Sequence, residues 1–382
     1  MFAVPYFALL IFGVCGQKPF QKLGCWFDEK AAASSGFSKK ALSLLNPYKN
    51  FDLYVIVLLT WMVYSHISVP DYDNYAEVYR IVGLGKLYRS LGMGWYGVMV
   101  AGNAAGLSFR LFKTLVCLTG FLVIAWNVRR FAKNPSSRML AWGLYLIFPA
   151  LLDCIQMRYL LAQCLIVTGV TFLREFSFKN LFWFCVLIGA ACLMHTTSPI
   201  FFGLLVVYIL NKWPKTGTAL IAVVAVGLFL LIPQVGRIME SYAYLTRIRV
   251  YIQEGNPMGL PGIAVTIVMQ AGLYLICRLM YTKWSGDERV KHYFRLCMNM
   301  SLAAFVIVPL CLFDTNFIRL LRFLWIFCFT AAGIWIYQAP ETDKPLLLYG
   351  FPVRLYMIGL AVLANLYLIS LFTFEIIPAF LS

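Results

Sequence analysis

One pattern limits what this chain can fold into. Apolar runs of about 17–25 residues recur along nearly its whole length, separated by short polar stretches. Runs of that length match a bilayer core, where every backbone N–H and C=O must be satisfied within the segment, so they fold as helices. Composition agrees: 62% of residues are hydrophobic and 13% charged, against roughly 25% charged in soluble domains. The sequence therefore predicts an all-α polytopic membrane protein, one integral membrane domain over residues 1–382, with no soluble domain and no internal repeat.

Taken in order, the predicted spans are Met1–Gly16, Asp52–Ile67, Leu111–Val128, Met139–Leu152, Tyr159–Leu173, Leu181–Met194, Pro199–Leu210, Thr218–Ile232, Pro261–Tyr281, Leu296–Phe313, Phe323–Tyr337 and Phe351–Ile376. Residues 17–50, with six Lys, read as a cytoplasmic linker. Residues 68–110 read as an outer loop carrying a re-entrant or interfacial helix at Met93–Leu107, and residues 233–260 as a second outer loop. With Met93–Leu107 not crossing, 21 of the 32 Lys and Arg fall on one side and 11 on the other, while the acids divide 8 and 8. The positive-inside rule makes the first side the cytoplasm. That gives about twelve spans with both termini outside.

The net charge of +16 is thereby absorbed by cytoplasmic loops and carries no nucleic-acid signal. The 11 Cys include no CxxC pair and lie mostly within apolar segments, which suits membrane packing. Three His and scattered acids give no metal-ligand spacing, and no P-loop, GxSxG elbow or dinucleotide fingerprint is present.

This topology brings four polar clusters to the outer face: the loop Pro70–Tyr75, the stretch Asp153–Ala162, the turn His195–Ser198 and the stretch Asp314–Arg322. Polar side chains at membrane depth are expensive and face a cavity or a partner. Arg158, Arg319 and Arg322 put guanidinium forks at one interface, matched to phosphate oxygens. The alternative is that they snorkel to headgroups or cap helices. Asp71 and Asp73 sit in a Tyr-rich loop and are candidate general bases on a sugar hydroxyl, or helix N-caps. His195 is a second candidate acid/base, or a helix-end His bonded to a carbonyl. Tyr75, Gln156, Arg247 and Arg249 are candidates for binding glycan or ordering the loops around it.

An Asp-x-x-x-Tyr loop (Asp71–Tyr75), a Gly-aromatic stretch (Met93–Tyr96), Arg158-Tyr-Leu-Leu-Ala162, a His-Thr-Thr-Ser turn (His195–Ser198) and a late outer Arg pair follow one another. In that order they resemble the EpsG-like group of Wzy-type polysaccharide polymerases. Family members place Arg and Gln side by side in the third motif, whereas Met157 separates Gln156 from Arg158 here. The resemblance implies a GT-C-like glycosyltransferase of the bacterial inner membrane, acting on its periplasmic face. It would transfer a glycan from undecaprenyl pyrophosphate to the non-reducing end of another lipid-linked repeat unit, with inversion and with neither metal nor cofactor. Arg158, Arg319 and Arg322 would hold the pyrophosphate, and Asp73 or His195 would deprotonate the acceptor. The partners implied are the undecaprenyl-pyrophosphate-linked oligosaccharide, membrane lipids and a chain-length regulator, with no nucleic acid. An O-antigen ligase or other membrane transferase shares the outer Arg/His logic. A lipid-linked oligosaccharide flippase or transporter fits the span count, yet transporters favour repeats and midplane charges.

Overall fold

The structure, a computed structural model, describes residues 2–15, 17–65, 72–86, 92–174, 177–211, 213, 216–241, 255–338 and 353–366. Within them every regular element is a helix and no strand occurs. In chain order these are α1 (Ala3–Cys15), α2 (Gln17–Ala32), α3 (Gly36–Leu44), α4 (Phe51–Ser65), α5 (Tyr72–Gly83), α6 (Met93–Ala104), α7 (Phe109–Phe131), α8 (Pro135–Ile147), α9 (Ala150–Ile155), α10 (Met157–Phe172), α11 (Phe178–Met194), α12 (Leu204–Leu210), α13 (Thr216–Ser241), α14 (Leu260–Lys283), α15 (Glu288–Ala303), α16 (Arg322–Gln338) and α17 (Val353–Leu366). Three 3-10 segments, Ser198–Gly203, Ala304–Leu312 and Thr315–Leu321, join or extend them.

Four stretches are long and apolar enough to cross a bilayer unaided: Phe109–Phe131, Leu260–Lys283, Glu288–Leu312 and Thr315–Gln338. Six shorter apolar helices accompany them. The chain is thus a helical, multi-pass membrane protein in which many helices are shorter than the ~20 residues a straight span needs. The expectation of about twelve continuous spans meets several breaks. The predicted span Met139–Leu152 is two pieces, α8 and α9. Pro149 restricts the residue before it to extended backbone, and Phe148 accordingly lies at φ −161°, ψ 133°. A second break at Gln156 separates α9 from α10. Helix α13 runs past the predicted end at Ile232 as far as Ser241. Helix α6, with 12 residues, reaches about 18 Å, well short of a ~30 Å hydrocarbon core.

The stretch read as a linker, 17–50, is largely helical. Buried Gln17, Gly24 and Ala31 recur every seven residues along α2, and α1 and α2 meet at a 97° bend. Polar contacts tie the turn after α3 to α2, and that turn and the start of α2 to one end of the bundle. Asn46 bonds the Gly24 carbonyl at 3.0 Å, and Lys49 pairs with Asp28 at 2.8 Å. Tyr48 meets Ser136 at 3.0 Å, and Tyr337 donates to Gln17. Beside them Arg129 at the end of α7 grips Asp52 at the start of α4, and Gln338 at the end of α16 bonds Ser137 at 3.1 Å.

Helices α1, α8 and α16 form one side of the core, and α7, α10 and α11 the other. Helices α1 and α8 cross almost backbone to backbone: a Cβ on Gly13 would lie 2.7 Å from the Gly143 Cα, the small-residue contact that membrane helices use to approach closely.

Candidate active site

The site is built where helices are interrupted, at the end of the bundle opposite the α2–α3 contacts. The starts of α10 and α16 and the end of α11 meet there. Breaks at Pro149 and Gln156 turn Asp153 and Gln156 inward, and the junction of the 3-10 segment Thr315–Leu321 with α16 presents Arg322 to them.

Arg322, 1% exposed, donates Nη1 to Oδ1 of fully buried Asp153 at 2.8 Å, and Nη2 to Oε1 of Gln156. The other Asp153 oxygen accepts the Tyr145 hydroxyl at 2.7 Å. The Arg322 guanidinium also lies over the Tyr159 ring, 4.4 Å from its centroid. Tyr159 in turn makes an edge-to-face contact with His195 at 5.3 Å. One line of side chains thus runs Asp153–Arg322–Tyr159–His195 across four helices, α9, α16, α10 and α11.

His195 ends α11. Its Nδ1 is paired with the Thr197 hydroxyl at 2.8 Å. Arg158 donates Nε to the carbonyl of Met194 at 3.0 Å, tying the start of α10 to that same end. Arg319 bonds the Asn316 carbonyl at 2.9 Å. Asp314 caps this turn by accepting the Asn316 N–H at 2.7 Å. Burial, and after it the charges of Arg158, Arg319 and Arg322, push the His195 pKa down to about 3. The imidazole is therefore neutral at any physiological pH.

A neutral His195 makes stability depend on pH. Between about 3 and 6.5 the unfolded chain binds a proton that the folded chain does not. Stability therefore rises with pH across that window, by at most about 1.4 kcal/mol per unit, and is level above it. The melting temperature of the detergent-solubilised protein is expected to fall on acidification to about pH 4.5 more for wild type than for His195→Gln. Equal falls would mean that His195 is not held neutral.

Four buried polar atoms at this site have no protein partner among the described residues: Tyr159 Oη, Ser198 Oγ, Arg322 Nε and Gln163 Oε1. Buried polar groups are nearly always paired, so these four atoms are capacity for a bound partner, although atoms of this kind also lie elsewhere in the bundle.

The other sequence candidates fall differently. Asp73 is exposed in the first turn of α5, and among the described residues no hydrogen bond or ion pair joins it to the Arg/His cluster. Tyr75 is half-buried on the same helix. Asp71, Arg247 and Arg249 lie outside the described residues. Helix α6 brings its start against the site: Gly92 and Gly94 pack on Leu193, where a Cβ on Gly94 would come within 2.9 Å of the Leu193 Cβ. Sequence reasoning passed over Asp153, Tyr145 and Tyr159 as site residues. It also missed Lys113, a buried lysine on α7 whose ammonium lies 5.3 Å from the Tyr72 ring centroid. An acid and a lysine inside apolar stretches were the available signal.

The decisive comparison is with protein families. The EpsG family matches residues 50–378, most of the chain. The chain belongs to the EpsG family. The match takes in every candidate site residue and starts just after the Lys-rich α2–α3 region. No curated protein and no solved structure matches the chain. Membership in the EpsG family points to a membrane glycosyltransferase of polymerase type, in keeping with its helical, multi-pass character.

Proposed function

We propose that this EpsG-family chain polymerises lipid-linked repeat units at the outer face of a bacterial inner membrane. In this reading the glycan moves from undecaprenyl pyrophosphate to the non-reducing end of a second lipid-linked unit, inverting the anomeric centre. The observation that carries the proposal is the convergence of Arg158, Arg319 and Arg322 around a neutral His195. The positive-inside count supports the outer placement, and the broken helices suit a GT-C-like architecture.

The chemistry follows from the charges. The acceptor hydroxyl oxygen attacks the anomeric carbon, and the bond from that carbon to the pyrophosphate oxygen breaks. The electron pair leaves with the pyrophosphate, where Arg158 and Arg319 stabilise the growing negative charge. Arg322, held by Asp153 and Gln156, positions Tyr159 and offers Nε. The hydroxyl proton passes to His195 through Nε2, the nitrogen not engaged by Thr197. Burial and, after it, three guanidinium groups make the imidazolium unfavourable. A pyrophosphate among them offsets that charge and raises the basicity of His195 only when donor is bound. Asp73 is the alternative base. It is exposed, so its use requires α5 to approach the cluster. No step needs a metal or cofactor. A chain-length regulator is the protein partner this reaction invites.

The test is glycan length in a cell lacking this gene, run on a gel of lipid-linked and surface polysaccharide. A ladder collapsed to a single repeat unit, restored by the wild-type chain, is expected. Long lipid-linked chains that accumulate unattached would instead identify a ligase. Repeat units trapped on the cytoplasmic side would identify a flippase.

A further inference from the structure

Beside the Arg/His cluster lies a cavity of about 260 Å³ between the 3-10 segment Ser198–Gly203, α12, α13, the 3-10 segment Ala304–Leu312 and the start of α16. Ile200, Val207, Ala225, Leu228, Ile307 and Phe323 are among its walls, and among the described residues no charged side chain lines it. At the site end it is continuous with the catalytic residues along the chain. Phe323 follows Arg322 directly and packs edge-to-face on Phe201 at 5.0 Å. Ile200 lies two residues beyond Ser198, whose buried hydroxyl lacks a partner. Next to the wall residue Met300 lies a polar layer. Asn299 bonds Asn211 at 2.7 Å and accepts from Thr218 at 3.0 Å. To the side, the wall residues Val206, Val224 and Leu228 are exposed on the outer surface of the bundle.

We infer that this cavity holds the first isoprene units of the donor's polyprenyl tail, so that the tail runs down α12 and α13 while its pyrophosphate lies at Arg158 and Arg319. The inference rests on the polymerase reading and names the part of the substrate this region takes. An amphiphile with a pyrophosphate head and a hydrocarbon tail needs a cationic site and an apolar slot that touch. Here they share adjacent residues, Arg322 and Phe323. A lipid-borne substrate also needs lateral entry, which the exposed side walls give. The wall residues Ile221 to Leu228 span about 10 Å of α13, and the volume is near the lower limit of ligand pockets. The slot therefore takes only the proximal tail and leaves the rest in the bilayer. The slot then discriminates donors whose tails enter it from donors whose tails do not.

The experiment uses the purified full-length chain in liposomes of phosphatidylglycerol and phosphatidylethanolamine. Two synthetic pyrophosphate-linked repeat units are compared, one with an undecaprenyl tail and one with a methyl group in place of the tail, too short to enter the slot. Wild type is expected to show a KM about tenfold lower for the long tail. Ala225→Trp, which fills the slot, is expected to erase that ratio by raising KM for the undecaprenyl donor alone. Val223→Trp, on the exposed face of the same helix, is expected to keep it. An unchanged ratio in Ala225→Trp would overturn the assignment. A second arm uses wild type alone and an undecaprenyl pyrophosphate with a diazirine in its proximal isoprenes. Labelling within 200–207, 221–228 or 300–307, competed by unlabelled undecaprenyl pyrophosphate but not by phospholipid, supports the slot. Labelling competed equally by phospholipid shows a bulk-lipid site and refutes it. This arm reads the cavity whether or not the chain polymerises, so a failed polymerase reading and a failed slot are told apart.

Discussion

Arg322→Ala is expected to destabilise the protein by about 3–5 kcal/mol and to abolish polymer formation. Removing one member of a fully buried ion pair leaves the other charge without compensation, and that desolvation cost dominates. Asp153 would keep the Tyr145 hydroxyl but lose its cation. The same principle predicts that Asp153→Leu combined with Arg322→Met recovers much of the lost stability, because well-packed apolar residues replace a buried pair at little net cost. Activity is not expected to return, since Tyr159 and Gln156 lose the guanidinium that positions them. Thermal melting of the three variants, alongside gel analysis of glycan in complemented cells, reads both quantities. A double variant that melts no higher than Arg322→Ala would remove the ion pair from the account of the fold. One that polymerises would remove it from the account of the reaction.

Arg158→Ala with Arg319→Ala is expected to leave the fold intact and collapse the ladder to a single repeat unit. Both side chains are half-buried, and each Nε contacts a backbone carbonyl, so the structural loss is about 1 kcal/mol per bond. Losing stabilisation of the departing pyrophosphate costs far more: a single electrostatic donor at a developing charge is worth about 10²–10³ in rate. The Lys pair is the sharper control. Lysine keeps the charge but not the planar fork, so it should restore part of the chain length if charge is what matters, and almost none if bidentate geometry is. Full-length polymer from the double Ala variant would end the pyrophosphate assignment.

Much of this site is legible from side chains that have no reason to lie in a membrane. Arg158, His195, Arg319 and Arg322 were conspicuous at the ends of apolar runs, and the fold brings these four together. Asp153 was harder. Its partner is 169 residues away, and no local periodicity reports a contact of that span. The inward turn of Asp153 depends on two chain breaks, of which only Pro149 is visible in advance. Asp73 looked equivalent to His195 in sequence because loop acids and buried bases share the same letters. Exposure separates them, and exposure follows from packing. The helical state of 17–50 was overlooked because its six Lys outweighed the seven-residue spacing of Gln17, Gly24 and Ala31.

The two rims of the bundle are held together differently. One is laced by Tyr48–Ser136, Gln17–Tyr337, Asp52–Arg129 and Ser137–Gln338. The other is held from within, by the buried Asp153–Arg322 pair with Tyr145 and Gln156, by the Arg158 bond to Met194, and by glycines that let α6 lie against α11. The ion pair that braces this rim is thus also the floor of the arginine cluster. A substitution that loosens the brace reshapes the floor with it, and stability and chemistry at this end of the bundle cannot be tuned apart.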